Sequence, residues 1–222
     1  MAAKRIPLFP LGLVMLPGML LPLHIFEERY KRMISDCLAE NTPFGIVWFD
    51  GQTIHPVGCT ARVVQVLHRY EDGRMDILTR GEQRFYTEGM AEEKPYMEAD
   101  VRFIEDAESA PDPEAFNRAR ALVADLQHAG HPAEEVDEPD LSDPRRLSFA
   151  VPAIDGFTHA ERQRFLEMTS SAERLQKGVE VLTRIVERVQ VTRQIQKIIG
   201  GNGHPPKGAL RKLAAGNEPE KG

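Results

Sequence analysis

The chain has 222 residues and a formal net charge of -6, which offers little attraction to a phosphate backbone and disfavours nucleic acid as a partner. Hydrophobic residues make up 41% of the sequence, yet no run of about 18 apolar residues occurs that could span a bilayer. The length suffices for one large domain or two small ones with a substantial core. The composition therefore predicts a globular protein without a membrane segment.

The amino-terminal segment is basic and then apolar, as a secretory signal is, but prolines interrupt its apolar run at positions 7, 10, 17 and 22. We therefore do not expect an export signal, and the predicted location is cytoplasmic. In that compartment Cys37 and Cys59 are expected to be reduced thiols in or near the core.

Residues 5–106 show the pattern of a β-rich domain of about six strands. Pro7 and Pro10 cannot donate hydrogen bonds to a neighbouring strand, which predicts an edge position for the first strand. Further strand-like runs lie at residues 44–49, 61–68, 75–79, 83–90 and 96–104. The Asp72-Gly73 pair predicts a hairpin between two of these runs, because glycine tolerates a positive φ.

One helix is predicted inside this β region, over residues 27–40. Its apolar side chains recur at helical spacing, and its opposite face is charged. Met33 and Cys37 lie on the apolar face, so we interpret them as packing residues and not as ligands.

Beyond residue 106 the pattern becomes helical. Asp112-Pro113 and Asp143-Pro144 each predict a helix start, with a capping side chain followed by a proline whose missing N–H costs nothing there. Thr158 with Glu161 and Ser170 with Glu173 form two capping boxes. The second box opens a long helix that is predicted to end at Gly200-Gly201.

Two segments carry no regular pattern. Residues 128–140 are acidic and contain prolines, which predicts an exposed connector. Residues 202–222 are rich in glycine, proline and charge, which predicts a mostly disordered tail.

Six short motifs, in order along about 170 residues, resemble the Lon protease N-terminal domain family, also called the Lon substrate-binding domain. They are PLFPL at 7–11, PLHIFEERY at 22–30, GCTA at 58–61, DGR at 72–74, GEQRF at 81–85 and AERL at 172–175. One departure is Cys59, where threonine is expected in many relatives. The resemblance includes stand-alone bacterial members that lack the ATPase and peptidase domains.

The resemblance implies an α+β chain in which a β domain of the PUA pseudo-barrel type is followed by an α-helical bundle. With the boundaries that the sequence pattern gives, residues 1–106 would form the β-rich domain with one helix, and residues 107–200 the bundle with a long last helix. The composition adds the disordered tail at residues 201–222.

The residues that enzymatic chemistry needs are not found in the expected patterns. No Gly-x-x-x-x-Gly-Lys-Ser/Thr phosphate loop and no Ser-Lys dyad motif occurs, and no serine has a glycine-flanked nucleophile context. His55 with Cys59, joined by His24, Cys37 or His68, is the best metal candidate, but no Cys-x-x-Cys or His-Glu-x-x-His spacing supports it. We therefore predict no catalytic residues, no metal and no cofactor.

The resemblance implies a non-catalytic module that binds unfolded or exposed polypeptide segments, as an adaptor or holding factor with an ATPase or protease as a further partner. The apolar loop at 14–21 is the predicted contact surface, since its apolar residues exceed what a short turn should expose and methionine adapts to varied partners. The predicted polypeptide-binding residues are Val14, Met15, Met19, Leu20, Arg29 and Arg84.

Three alternatives remain open from the sequence. The loop at 14–21 could pack as ordinary core under the helical region. PUA-like domains often bind RNA, although fold alone does not carry function and the acidic charge disfavours it. A hydrolase is the third alternative, and the absent motifs argue against it.

Overall fold

The computed structural model describes residues 4–91, 93–107, 112–129 and 141–200. Over these residues the chain forms six strands and five helices, which confirms the predicted α+β class. The strands are β1 (Lys4–Leu11), β2 (Leu20–Ile25), β3 (Phe44–Phe49), β4 (Ile54–Arg69), β5 (Met75–Ala91) and β6 (Glu98–Phe103). The helices are α1 (Glu28–Glu40), α2 (Pro113–Ala129), α3 (Pro144–Ala153), α4 (His159–Glu167) and α5 (Ser171–Gly200).

The strands form one sheet in the order β2-β5-β4-β3-β1-β6, and β5 also pairs with β6. This extra pairing closes β5, β4, β3, β1 and β6 into a ring, from which β2 extends. The β1–β3 pair is parallel and the other pairs are antiparallel. A closed ring accords with the predicted barrel, and the specific likeness to PUA domains stays a prediction.

The predicted edge position of β1 was wrong, because β1 lies between β3 and β6. Pro7 belongs to the half of the strand that pairs with β6, and Pro10 belongs to the half that pairs with β3. Pro7 thus has a strand partner on the β6 side and Pro10 has one on the β3 side, so each proline's missing N–H can face the side without a partner.

Two glycines make room for the aromatic ring of Phe85, which is fully buried inside the ring of strands. A Cβ atom built on Gly45 would lie 2.7 Å from the Phe85 ring, and one built on Gly58 would lie 2.6 Å from it. Because such separations are far below van der Waals contact, a side chain at either position would displace the ring.

Helix α1 agrees with its prediction in extent and in its buried face. Tyr30, Met33 and Cys37 are all buried in the larger apolar cluster, and the rings of Phe9 and Tyr30 lie 4.1 Å apart between centroids. The helix ends at Asn41, which has a φ of 51° and caps it in the left-handed conformation. The packing interpretation of Met33 and Cys37 is therefore confirmed.

The predicted turn and the predicted helix starts are also present. The β4–β5 hairpin turns at Gly73, with a φ of 83°, and Asp143 accepts a hydrogen bond from the Arg145 amide at the start of α3. Thr158 and Glu161 form the complete capping box of α4.

Contacts within the chain divide it into two units, Met1–Leu182 and Thr183–Gly222. Helix α5 contributes residues to both units.

No helix over the described residues is long and apolar enough to cross a membrane. The predicted boundary at 106/107 stays a prediction. The predicted tail at 201–222 and most of the connector at 128–140 lie outside the described residues.

Candidate functional site

A groove of about 990 Å³ lies in the first unit, between the sheet and helices α2 and α3. One wall comes from the loop before β2 and from β5, and the other comes from α3 and the residues that flank it. The lining residues are Pro17, Gly18, Met19, Leu20, Arg80, Glu82, Gln83, Arg84, Phe103, Ile104, Glu105, Asp106, Val123, Leu141, Asp143, Arg145, Arg146, Phe149, Ala150, Ala153 and Ile154. Its volume is within the range of sites that hold small ligands or several side chains.

Half-buried apolar side chains stand on both walls of the groove. Met19 and Leu20 are half-buried on the loop side, and Ala150 and Ile154 are half-buried on the helix side. Apolar side chains that are only half covered retain free energy that burial under a partner would release, at about 25 cal/mol per Å². The groove is therefore suited to receiving apolar groups.

The loop wall is fixed to the sheet by backbone hydrogen bonds to Gly81. The Gly18 amide donates to the Gly81 carbonyl at 2.8 Å, and the Gly81 amide donates to the Met19 carbonyl at 2.9 Å. A Cβ atom on Gly81 would lie 2.2 Å from the Leu16 carbonyl oxygen, so the close approach of loop and strand requires glycine.

The floor of the groove is a buried cluster of charges centred on the carboxylate of Asp106. The side chains of Arg84 and Arg174 are 1% and 0% exposed, and each guanidinium donates to that carboxylate at 2.5 Å. Arg84 also donates to the carbonyl oxygens of Leu166 at 2.8 Å and Met168 at 2.6 Å. The cluster therefore joins β5, the segment after β6, the residues around the end of α4, and α5.

The ring of Phe149 covers both buried guanidinium groups. The Arg174 guanidinium carbon lies 4.0 Å from the ring centroid and that of Arg84 lies 5.2 Å from it, within the range of cation–π attraction. Burial lowers the pKa of Arg84 to about 10, with a further lowering from the charges of Arg174 and Arg145 that Asp106 opposes. Three guanidinium groups, those of Arg84, Arg145 and Arg174, share the one carboxylate of Asp106 at the floor of the groove.

The structure places the six predicted binding residues in three different surroundings: the groove, the apolar core and the surface of α1. Met19, Leu20 and Arg84 line the groove, although the Arg84 side chain is engaged in the buried cluster. Val14 and Met15 are 2% and 1% exposed and belong to the larger apolar core, so they do not face solvent in this structure.

Arg29 lies outside the groove, on the exposed first turn of α1. Its guanidinium contacts the Glu27 carboxylate at 2.8 Å and lies 4.6 Å from the centre of the Tyr30 ring. The predicted loop at 14–21 is therefore divided: residues 14–16 pack as core, residues 17–20 line the groove, and residues 20 and 21 already belong to β2.

Sequence reasoning missed the helix side of the groove. Asp106 lies in a segment that its acidic composition marks as a linker, and its main partner Arg174 follows 68 residues later. Arg174 does lie in the AERL motif, so the sequence marked it as a family residue but did not indicate its role. For Phe149 and Arg145, the sequence pattern indicated only a helix that starts at Asp143-Pro144, and nothing marked either residue as part of a site.

The candidate metal residues have other partners. His24 Nδ1 lies 2.6 Å from an Asp76 carboxylate oxygen, and His55 Nε2 lies 3.0 Å from an Asp50 carboxylate oxygen. Cys59 is a free, buried thiol, and burial raises its pKa to about 12. Among the described residues no group of three or more histidine, cysteine, aspartate or glutamate side chains could hold a metal ion.

Comparison with known proteins identifies the family. The sequence model of the ATP-dependent protease La (LON) substrate-binding domain matches residues 5–184, which include every residue of the groove and its charged floor. The chain belongs to this family, as the six motifs predicted.

Comparison with individual Lon proteases agrees with this assignment. The chain is 24% identical over 214 residues to Lon protease 2 of Syntrophobacter fumaroxidans, covering 87% of this chain and 26% of that protein. It is 26% identical over 212 residues to the Lon protease of Anaeromyxobacter dehalogenans, covering 88% and 25%. The chain thus spans about a quarter of the length of these relatives.

Solved structures show the same fold. A Lon N-terminal domain protein from Xanthomonas campestris superposes with a TM-score of 0.64 at 22% identity, covering 78% of this chain and 96% of that one. The N-terminal domain of the Mycobacterium avium complex Lon protease gives a TM-score of 0.64 at 21% identity, with coverages of 81% and 98%.

Proposed function

We propose that this chain is a non-catalytic polypeptide-binding module that holds unfolded or exposed segments in the groove between the sheet and α3. The observation that carries the proposal is the groove itself, with half-buried apolar side chains on two walls and a hydrogen-bonded floor, inside the region that matches a substrate-binding domain. Unfolded segments offer the apolar side chains that such walls would cover.

The hydrogen-bonded floor supports binding rather than chemistry. Arg84 and Arg174 are held by a shared carboxylate, backbone carbonyls and an aromatic ring, which leaves them little freedom to act on a substrate. A preformed floor lowers the ordering cost of binding, because fewer side chains lose freedom when the partner arrives.

The wider role that we propose is that of an adaptor or holding factor in protein quality control, in the cytoplasm, with an ATPase or protease as the receiving partner. The family description and the names of the relatives support this role. The two free, buried thiols are in keeping with a reducing compartment.

Site-specific crosslinking tests the groove as the binding surface. A photoreactive phenylalanine analogue would replace Ala150 in the groove, and in a control it would replace Leu67, which is 50% exposed on β4 and does not line the groove. The probe is a polypeptide kept unfolded by neutral alkylation of its cysteines. We expect crosslinks from position 150 and none above background from position 67.

Crosslinks that arise only from position 67 would overturn the groove assignment. Salt-sensitive retention of RNA at physiological ionic strength, with no capture of the unfolded polypeptide, would favour the RNA-binding alternative over the proposed function.

A further inference from the structure

We propose that the groove selects polypeptide segments in which acidic side chains stand beside apolar ones. This inference rests on the proposed function, because it specifies which segments the same groove takes.

Positive charge exceeds negative charge around the groove. Over the described residues, the groove lining and its direct ion-pair partners hold six guanidinium groups and four carboxylates. The guanidinium groups belong to Arg62, Arg80, Arg84, Arg145, Arg146 and Arg174, and the carboxylates belong to Glu82, Glu105, Asp106 and Asp143. This local excess contrasts with the net charge of -6 for the whole chain.

Three of the four carboxylates are already engaged. Glu82 pairs with Arg62 at 2.6 Å, and Asp106 is shared among the buried guanidinium groups. Asp143 accepts the amide hydrogen bond that caps α3 and lies 3.7 Å from Arg146. These carboxylates therefore have little capacity left to neutralise the exposed cations of the groove.

Two cations remain available to a ligand, one on each wall. The side chain of Arg80 on β5 is exposed and forms neither a hydrogen bond nor an ion pair with any part of the chain that the structure describes. Arg145 on α3 has a side chain that is 59% exposed, and its Nε contacts the crowded Asp106 at 3.3 Å. A guanidinium has five N–H donors, so Arg145 can still bind a carboxylate with two of them.

The position of the two cations favours acidic side chains over a chain terminus. Arg80 and Arg145 stand on opposite walls, and half-buried Leu20 and Ala150 also stand on these two walls. A free carboxyl terminus supplies a single carboxylate at the end of a segment. An internal segment with more than one acidic side chain can pair with both walls while its apolar residues cover the half-buried side chains.

The test compares peptides that differ only in charge. One labelled peptide of about 12 residues alternates leucine with glutamate and has blocked ends, and its counterpart carries glutamine in place of each glutamate. A third peptide has the glutamine sequence with a free carboxyl terminus. We expect the glutamate peptide to bind about tenfold more tightly than the other two, as one or two partly exposed charge-assisted hydrogen bonds would give.

Substitutions at the two cations locate the effect. The preference for the glutamate peptide should fall to about twofold or less in the double variant Arg80→Gln, Arg145→Gln. The single variant Arg80→Gln should lose part of the preference. The side chain that it removes forms no ion pair with any described residue, so the substitution breaks none there. Arg102→Gln is the matched control, because Arg102 pairs with Glu88 on the sheet and does not line the groove.

The outcomes separate this inference from the proposed function. Equal affinity for the glutamate and glutamine peptides, or an undiminished preference in the double variant, would overturn the inference and leave the groove as a binding site. Tighter binding of the peptide with the free terminus would overturn the choice of side-chain carboxylates. If no peptide and no unfolded polypeptide bound at all, the proposed function itself would fail.

Discussion

At the scale of single residues, Gly81 shows how one backbone position shapes the groove. Its amide and carbonyl groups hold the loop that carries Met19, and it lies so close to Leu16 that no side chain fits between strand and loop. The same residue therefore fixes the core part of the loop at 14–16 and the groove wall at 17–20. Glycine is required here for close approach and not for a positive φ.

We predict that Gly81→Ala destabilises the chain by about 2 kcal/mol or more, because the new Cβ would lie 2.2 Å from the Leu16 carbonyl oxygen. Urea unfolding followed by the fluorescence of Trp48 measures the change. The matched control is Gly89→Ala, also on β5, where an added Cβ meets no heavy atom within 4 Å. Equal stability of the two variants would contradict the proposed role of Gly81.

At the scale of elements, the Asp106 cluster connects strand and helix segments that are distant in sequence. Its side chains and carbonyls come from β5, the segment after β6, the end of α4 and the beginning of α5, and Phe149 of α3 covers it. Two guanidinium groups share one buried carboxylate, and backbone carbonyls and the Ser148 hydroxyl accept further hydrogen bonds from them. Loss of the carboxylate would leave two buried cations without a counter-charge.

We predict that Asp106→Asn lowers the free energy of unfolding by about 3–5 kcal/mol, the usual cost of removing one partner from a buried ion pair. The control is Asp100→Asn, which removes an exposed carboxylate paired with Arg5 and should cost less than about 1 kcal/mol. Denaturant unfolding of both variants gives the comparison. A loss of less than 1 kcal/mol for Asp106→Asn would show that the cluster does not stabilise the fold.

Local patterns predicted most of the elements. Helix α1, the hairpin at Gly73 and the capping box at Thr158 depend on residues only a few positions apart, so the sequence displays them directly. The placement of β1 between β3 and β6 depends on partners about 40 and 95 residues away along the chain, and the proline pattern could not reveal it.

The candidate site was predicted only in part, for a related reason. Met19 and Leu20 follow from the apolar composition of one loop, and the structure places both on a groove wall. Asp106 was hidden because an acidic residue in a proline-containing segment is usually solvated, and its buried partners Arg84 and Arg174 are distant in the sequence. The burial of Val14 and Met15 likewise depends on long-range packing.

At the scale of the whole molecule, the two buried cysteines should make the free energy of unfolding fall at alkaline pH. Burial raises the pKa of Cys37 to about 11 and that of Cys59 to about 12, from an ordinary value of 9.0. The folded chain therefore keeps these thiol protons at pH values where the unfolded chain has lost them. This contribution to stability is complete below about pH 9 and is lost as the pH rises toward the folded values.

We predict that the free energy of unfolding falls above pH 9 by up to about 1.4 kcal/mol per pH unit for each thiol. Urea unfolding at pH 8, 9, 10 and 10.5 gives the slope. The double variant Cys37→Ala, Cys59→Ala should be less stable at pH 8, since two buried side chains are truncated, but it should lose stability with pH more slowly. An unchanged slope in that variant would show that the thiols do not cause the effect.

The central claim, that the groove between the sheet and α3 holds unfolded polypeptide, is tested most directly by filling the groove. Ala150→Trp and Leu20→Trp would each place a large ring into the groove from opposite walls, while Leu67→Trp would place one on the outer surface of β4. The affinity for a labelled unfolded polypeptide is measured by fluorescence anisotropy, with thermal unfolding to verify that each variant folds. We predict at least about tenfold weaker binding for both groove variants and unchanged binding for Leu67→Trp; folded groove variants that bind as tightly as the parent chain would contradict the claim.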